Sequence, residues 1–114
     1  MNLAQIIQKM NLKVLTETKD FAAIEPQSGY CSDLLSCVMA GAQGSGIWIT
    51  LQSHMNIIAV AALLDLSAII ITEDAQPDAN TLAKANEKSV ILLSTPLRSY
   101  EVAGRLWEMG LKAG

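Results

Sequence analysis

Aromatic residues are scarce in this sequence, at 4%, so its core must be aliphatic, built from Ile, Leu, Val, Ala and Met. Charge is sparse too: 17% of residues are charged, and the net charge is −3. The basic residues are scattered, with no three clustered. A nucleic-acid binder needs a basic patch to displace phosphate counterions, so DNA or RNA binding is not expected. There are only two cysteines, Cys31 and Cys37. On a helix they would stand about 240° apart around the axis, which argues against a local disulfide or a shared zinc. They read as reduced, packed thiols, and the expected location is cytoplasmic. The N-terminus has no basic stretch before an apolar run, so no secretory signal is read there. The longest apolar stretch, residues 57–72, is interrupted by Asp65 and Ser67. It is too short and too polar at its middle for a membrane span, and reads as a buried helix followed by a buried strand.

What is present fits one ordinary globular domain covering residues 1–114, with 51% hydrophobic residues. A chain of this size buries roughly 65% of its unfolded surface, enough for a core without staples. Leu3, Ile6, Ile7 and Met10 form the stripe of an opening helix. Residues 12–16 suggest a strand, Phe21 to Ile24 is ambiguous, and Pro26 and Gly29 mark a turn region. Ser32 or Asp33 then reads as the N-cap of a helix with the stripe Leu34, Leu35, Val38 and Met39. Residues 47–51 form a strand. Ser53 reads as the cap of a helix over 55–65 that is apolar nearly all round and should be covered on more than one side. Residues 68–72 are a continuous apolar strand of the kind buried on both faces. Pro77 and Asp78 open a further helix with Leu82, Ala83 and Ala85 inside, and residues 90–93 form another buried strand. The last helix, over 98–109, carries the stripe Val102, Ala103, Leu106 and Trp107, with Gly110 as its C-cap. Alternating strands and helices with short links predict an α/β fold. It has three layers: a mostly parallel sheet of four to five strands with helices on both faces.

Chemistry-bearing motifs are few. Gly41, Gly44 and Gly46 follow a helix and precede a strand, the reverse of a phosphate-binding loop, and no Lys-Ser or Lys-Thr follows them. They read as helix-ending glycines. His54 is the single histidine, a candidate acid or base that also reads as a polar residue in a helix's first turn. It has no metal-ligand partners at the right spacing and no G-x-S-x-G nucleophile. No cofactor and no metal are expected.

In open parallel sheets, ligands bind beyond the carboxyl ends of the strands. Thr50, Gln52, Ser53, His54 and Asn56 follow one strand, Thr72, Glu73 and Asp74 the next, and Ser94 and Thr95 the third. Caps and turns account for each of these separately, while their convergence makes a candidate site for a small anionic ligand. Tyr30, Ser32 and Asp33 form a secondary candidate cluster, with Asp33 read as a cap or as a ligand- or interface-facing residue.

Residues 29–40, from Gly29-Tyr30-Cys31-Ser32-Asp33 to Met39-Ala40, resemble the G-x-x-S-D-L-L-S-x-V-M-A opening of stand-alone DRTGG-domain proteins. The run Ile47 to Ile57 with Ala59-Val60-Ala61, and the tail Tyr100 to Leu106, resemble the same family, so the likeness extends over about residues 12 to 110. The letters that name the family are absent, and the corresponding loop reads Leu51-Gln52-Ser53-His54-Met55-Asn56. Whatever the motif binds elsewhere therefore does not carry over. The resemblance implies an α/β domain found alone, beside CBS domains, or at the N-terminus of phosphotransacetylases, and similar to the N-terminal domain of HPr kinase/phosphorylase. The serine-kinase label given to some short members fails here for want of a P-loop. Short members also accompany iron-only hydrogenase systems, which implies a redox-related regulatory setting. The expected function is accordingly a non-catalytic regulatory or interaction module. It is expected to be a homodimer, with a partner protein in such a system, the alternative being a small-ligand sensor.

Overall fold

The computed structural model describes residues 1–114. Five helices and five strands alternate along most of the chain: α1 (Leu3–Met10), β1 (Lys13–Val14), β2 (Gly29–Cys31), α2 (Leu35–Gly41), β3 (Ile47–Thr50), α3 (Asn56–Leu64), β4 (Ala68–Ile71), α4 (Ala79–Glu87), β5 (Leu92–Ser94) and α5 (Ser99–Glu108), with a 3₁₀ turn at Phe21–Ala23. The sheet order is β1-β5-β4-β3-β2. Strands β2 to β5 are parallel neighbours in chain order, and β1 closes one edge antiparallel to β5. This is the expected three-layer, mostly parallel α/β architecture.

The two faces of the sheet come from strict alternation along apolar strands. Ile47, Ile49, Ala68, Ile70 and Leu93 point to one side, where they pack against Leu3, Ile6 and Met10 of α1 and Val102 and Leu106 of α5. Trp48, Ile69, Ile71 and Leu92 point to the other side, against Val38 of α2, Ile57, Val60 and Ala61 of α3, and Ala85 of α4. One hand of crossover, applied three times in the same direction, puts α2, α3 and α4 on a single face. The link after β5 instead carries the chain to the opposite face, where α5 packs beneath β2 and β3.

Several local expectations need correction. Gly29–Cys31 is a strand, not a turn: three residues carry too little periodicity to show, and pairing with β3 supplies the extended conformation. Its outer edge is partly covered, since the Gly29 N–H donates to the Lys112 carbonyl at 2.8 Å. Helix α2 starts at Leu35, with Leu34 at the cap position and no side-chain cap, and Leu34 and Met39 are exposed. In α4 Thr81 is buried and Ala83 exposed. Trp107 faces outward from α5, because Val102 and Leu106 already fill the sheet-facing side. Gly110 lies one position beyond the C-cap Met109 and takes a left-handed φ of 99°. There its N–H meets the Trp107 carbonyl and the Leu111 N–H meets that of Leu106, the paired bonds of a Schellman motif.

Candidate functional site

The carboxyl ends of β3, β4 and β5 lie side by side, and their links divide by face. The links after β3 and β4 lead to α3 and α4 on one side, and the link after β5 leads to α5 on the other. A ligand crevice opens in such sheets where neighbouring links part. Here the chain fills that place itself. The Glu73 N–H donates to the Leu97 carbonyl (2.8 Å), and the Asp74 N–H donates to that of Thr95 (3.2 Å). The Thr72 and Ser99 hydroxyls share a hydrogen bond of 2.6 Å. Glu73 and Asp74 both have left-handed φ, 58° and 60°, in a turn closed by the Ala75 N–H on the Thr72 carbonyl. Thr72, Ser94 and Thr95 are buried, and the Thr95 hydroxyl accepts the Leu97 N–H at 3.2 Å.

The neighbouring junction is a latch. Thr50 is fully buried, and its hydroxyl donates to Asp33 Oδ1 at 2.8 Å. The same carboxylate oxygen accepts the Leu51 N–H at 2.9 Å. The Gln52 N–H donates to Thr50 Oγ1, and Gln52 Nε2 to the Asp33 carbonyl. Trp48 Nε1 donates to the Ser32 carbonyl at 2.8 Å. Asp33 therefore does not cap α2; it ties the link after β2 to the end of β3. Ser32 Oγ accepts the Leu34 N–H, and Tyr30 lays its ring against Gly41, where any Cβ would come within 2.6 Å. The secondary cluster is thus drawn into the junction and the α2 packing. Partial burial pushes the Cys31 thiol above its ordinary range, and the nearby Asp33 charge adds to the effect. Cys31 and Cys37 are both free and exposed.

What stays open is a groove beside the β3–α3 link. Gln52, Ser53 and His54 line one side of it, and Gln76, Asp78 and Thr81 the other. Ser53 does not cap α3. Met55 stands at the cap position with no side-chain cap, and His54 Nδ1 accepts the Asn56 N–H at 3.1 Å. Asp78 is the fixed negative charge of the groove. Its carboxylate accepts the N–H and hydroxyl of Thr81, each at 2.8 Å. The backbone bond first, then the hydroxyl bond and to a smaller extent nearby His54, hold it below the ordinary carboxylate range. Asn56 lies across Met55 from this groove, in a second, apolar recess floored by Ala59 and Ala62 and flanked by Lys84 and Lys88.

Of the strand-end candidates, Gln52, Ser53 and His54 are brought together, Asn56 lies next door, and Thr50, Thr72, Ser94 and Thr95 sit beneath the surface. Gln76, Asp78 and Thr81 were not anticipated as groove residues. The signal for Asp78 was its reading as a helix opener, because the N-cap of a neighbouring crossover helix lies on the same sheet edge. No group of three His, Cys, Asp or Glu residues is placed to hold a metal, and no helix is long and apolar enough to cross a membrane.

Fold and edge together define a small three-layer α/β domain with a polar rim at the strand ends. The DRTGG domain family model matches residues 38–109, more than half the sequence, and the chain belongs to the DRTGG domain family. The crystal structure of the CBS and DRTGG domains of the regulatory region of Clostridium perfringens pyrophosphatase, complexed with its activator diadenosine tetraphosphate, is similar in fold. The TM-score is 0.76 and the identity 17%, covering 98% of this chain and 48% of that one. The chain thus spans about half the length of that structure, and the likeness is one of fold. No curated protein matches the sequence.

Proposed function

We propose that this chain is a non-catalytic regulatory domain that acts by association, with a second copy of itself and with a partner protein in a redox system of the iron-only hydrogenase kind. The observation that carries this reading is the placement of large apolar side chains on the outside. Tyr100 is 92% exposed, Leu63 70%, Leu34 61% and Trp107 53%. A chain with only 4% aromatic residues spends two of them on its surface. Aromatic side chains are enriched where proteins meet. The outer side of α3, with Ala59, Ala62 and Leu63 exposed, adds to the uncovered apolar surface. A symmetric dimer is the commonest way to cover such surface. The redox setting rests on the resemblance of the sequence to short family members. Sedimentation equilibrium over a wide range of protein concentration tests the self-association. A dimer is expected, and a strict monomer at every concentration would overturn it.

A second reading is a small-ligand sensor, and the open groove at His54 favours it. Gln52, Ser53 and His54 offer donors and acceptors to a polar edge. The repulsion of Asp78 and the attraction of Lys84 and Lys88 would turn any phosphate toward the recess between α3 and α4. A nucleotide is the class of ligand proposed, by analogy with the activator of the similar pyrophosphatase region. At a hundred times its dissociation constant a ligand adds about 2.7 kcal/mol of stability. For a chain of this length that raises the melting temperature by about 10 °C. Diadenosine tetraphosphate and adenine mononucleotides are the probes. A shift lost in His54→Ala supports the reading, and no shift with the unaltered chain sinks it.

A further inference from the structure

The link after β4 holds the only two consecutive non-glycine residues of the chain with left-handed φ. Glu73 stands at 58° and Asp74 at 60°. The other residues of this kind are single: Asn11 and Asp65 cap α1 and α3, Ser89 follows α4, and Ser45 lies between two glycines. With the Ala75 N–H on the Thr72 carbonyl at 3.2 Å, residues 72–75 have the φ signs of a type I′ turn. That turn favours Asn and Gly at its two centres and serves antiparallel hairpins. Neither condition holds here. The centres are Glu and Asp, and the turn joins a parallel strand to a helix. Left-handed backbone crowds a Cβ against the following carbonyl oxygen, and it persists only where the surroundings impose it.

What imposes it lies across the gap. The Glu73 N–H is held by the Leu97 carbonyl at 2.8 Å and the Asp74 N–H by the Thr95 carbonyl at 3.2 Å. The Thr72 and Ser99 hydroxyls add their bond of 2.6 Å, and the Ser99 N–H donates to Glu73 Oε2 at 3.4 Å. All of these bonds run from the link that leads to α4 to the link that leads to α5, where the chain changes face. Burial gives the strained pair no support, since Glu73 and Asp74 are both exposed. The junction after β3 differs on each count. Its buried Thr50 is tied to Asp33, and none of residues 50–56 has a left-handed φ.

We propose that the turn over residues 72–75 is a plug in the strand-end crevice, closed under backbone strain and released as a unit. The proposal goes beyond both readings above and depends on neither. Closed, the turn covers Thr72 and Thr95, which are 0% and 4% exposed, and fills the place where the links part. Release returns Glu73 and Asp74 to ordinary φ and breaks the bonds across the gap together. It lays open the hydroxyls of Thr72, Thr95 and Ser99 beyond the ends of β4 and β5. The relief of strain favours release in a way that an ordinary turn lacks, and the hydrogen bonds across the gap oppose it. The junction at Thr50 has no strain to relieve and stays shut.

Native-state amide exchange of the full chain, followed by NMR, tests this. The amides of Glu73, Asp74 and Ser99 are all bonded across the gap and should exchange through one shared opening. Their common protection should be at least about a hundredfold below that of Ile69, whose N–H is held within the sheet by the Ile91 carbonyl. Asp74→Gly removes the Cβ at one strained centre and should raise protection at Glu73 and Ser99 together by about threefold. Ser99→Ala removes the partner of the Thr72 hydroxyl and should lower protection at Glu73 and Asp74 together by about threefold to tenfold. Unrelated opening constants at the three amides, or protection equal to that of Ile69, would overturn the proposal. So would an Asp74→Gly chain whose Glu73 and Ser99 amides exchange as fast as before or faster, because the left-handed pair would then carry no strain.

Discussion

Replacing Thr50 by Val keeps the outline of the side chain and removes one oxygen from the buried end of β3. That oxygen makes two hydrogen bonds, donating to Asp33 Oδ1 at 2.8 Å and accepting the Gln52 N–H at 3.0 Å. A bond to an ionised group contributes about 1.5 to 3 kcal/mol, and a neutral one about 0.5 to 1.5. The added methyl group returns about 0.8 kcal/mol of burial. The net loss is about 2 kcal/mol. Unfolding entropy is about 2.1 cal/mol/K per residue, so for this chain the melting temperature should fall by about 8 °C. Urea and thermal unfolding followed by circular dichroism measure the loss. A cycle with Asp33→Ala isolates the latch, because the two substitutions share one bond and should be less than additive by about 1 kcal/mol or more. A shift under about 2 °C, or two effects that add within about 0.5 kcal/mol, would refute the claim that this carboxylate holds the end of β3 to the preceding link.

The glycines separate into opposite cases. At Gly46 a Cβ would lie 2.8 Å from the Gln43 carbonyl oxygen and 2.9 Å from Ser28 Oγ, so Gly46→Ala should destabilise by about 1 to 3 kcal/mol. Gly104→Ala meets open space and should stabilise by about 0.5 to 1 kcal/mol, as read by melting temperature. Asp78→Ala should lower the melting temperature at neutral pH by removing the cap of α4. Because the folded state holds this carboxyl below its ordinary range, its contribution is complete above about pH 4 and fades as the pH falls further. The unaltered and Asp78→Ala melting curves should therefore converge in acid, and a gap that stays constant down to pH about 2 would contradict this assignment.

Much of the fold was legible in the residues, for reasons that are local. The runs at Ile47–Thr50 and Ala68–Ile71 are apolar without interruption, which only a strand covered on both faces sustains. Leu3, Ile6 and Met10 declare the buried side of α1 by their spacing alone. The strand Gly29–Cys31 had no such signal, because three residues that begin with a glycine become a strand only when β3 is there to pair with them. The outward turn of Trp107 was hidden for a related reason. It lies next to Leu106 on the helix, and only the position of the sheet decides which of the two is covered.

The candidate site shows the same division. Composition and spacing by themselves determined an aliphatic α/β domain whose polar residues gather at the strand ends, since those residues cap helices and turn the chain. Tertiary structure alone decided which of them remain available. The links after β4 and β5 part to opposite faces, yet backbone bonds at Glu73 and Asp74 close the gap between them. Thr50 is spent on Asp33, a residue 17 positions away in the chain, and only Gln52, Ser53 and His54 line an open groove with Gln76 and Asp78, beside the buried Thr81. A hydroxyl or amide can serve a ligand or its own backbone equally well. The choice depends on what the folded chain brings within about 3 Å, a distance that the order of residues does not specify.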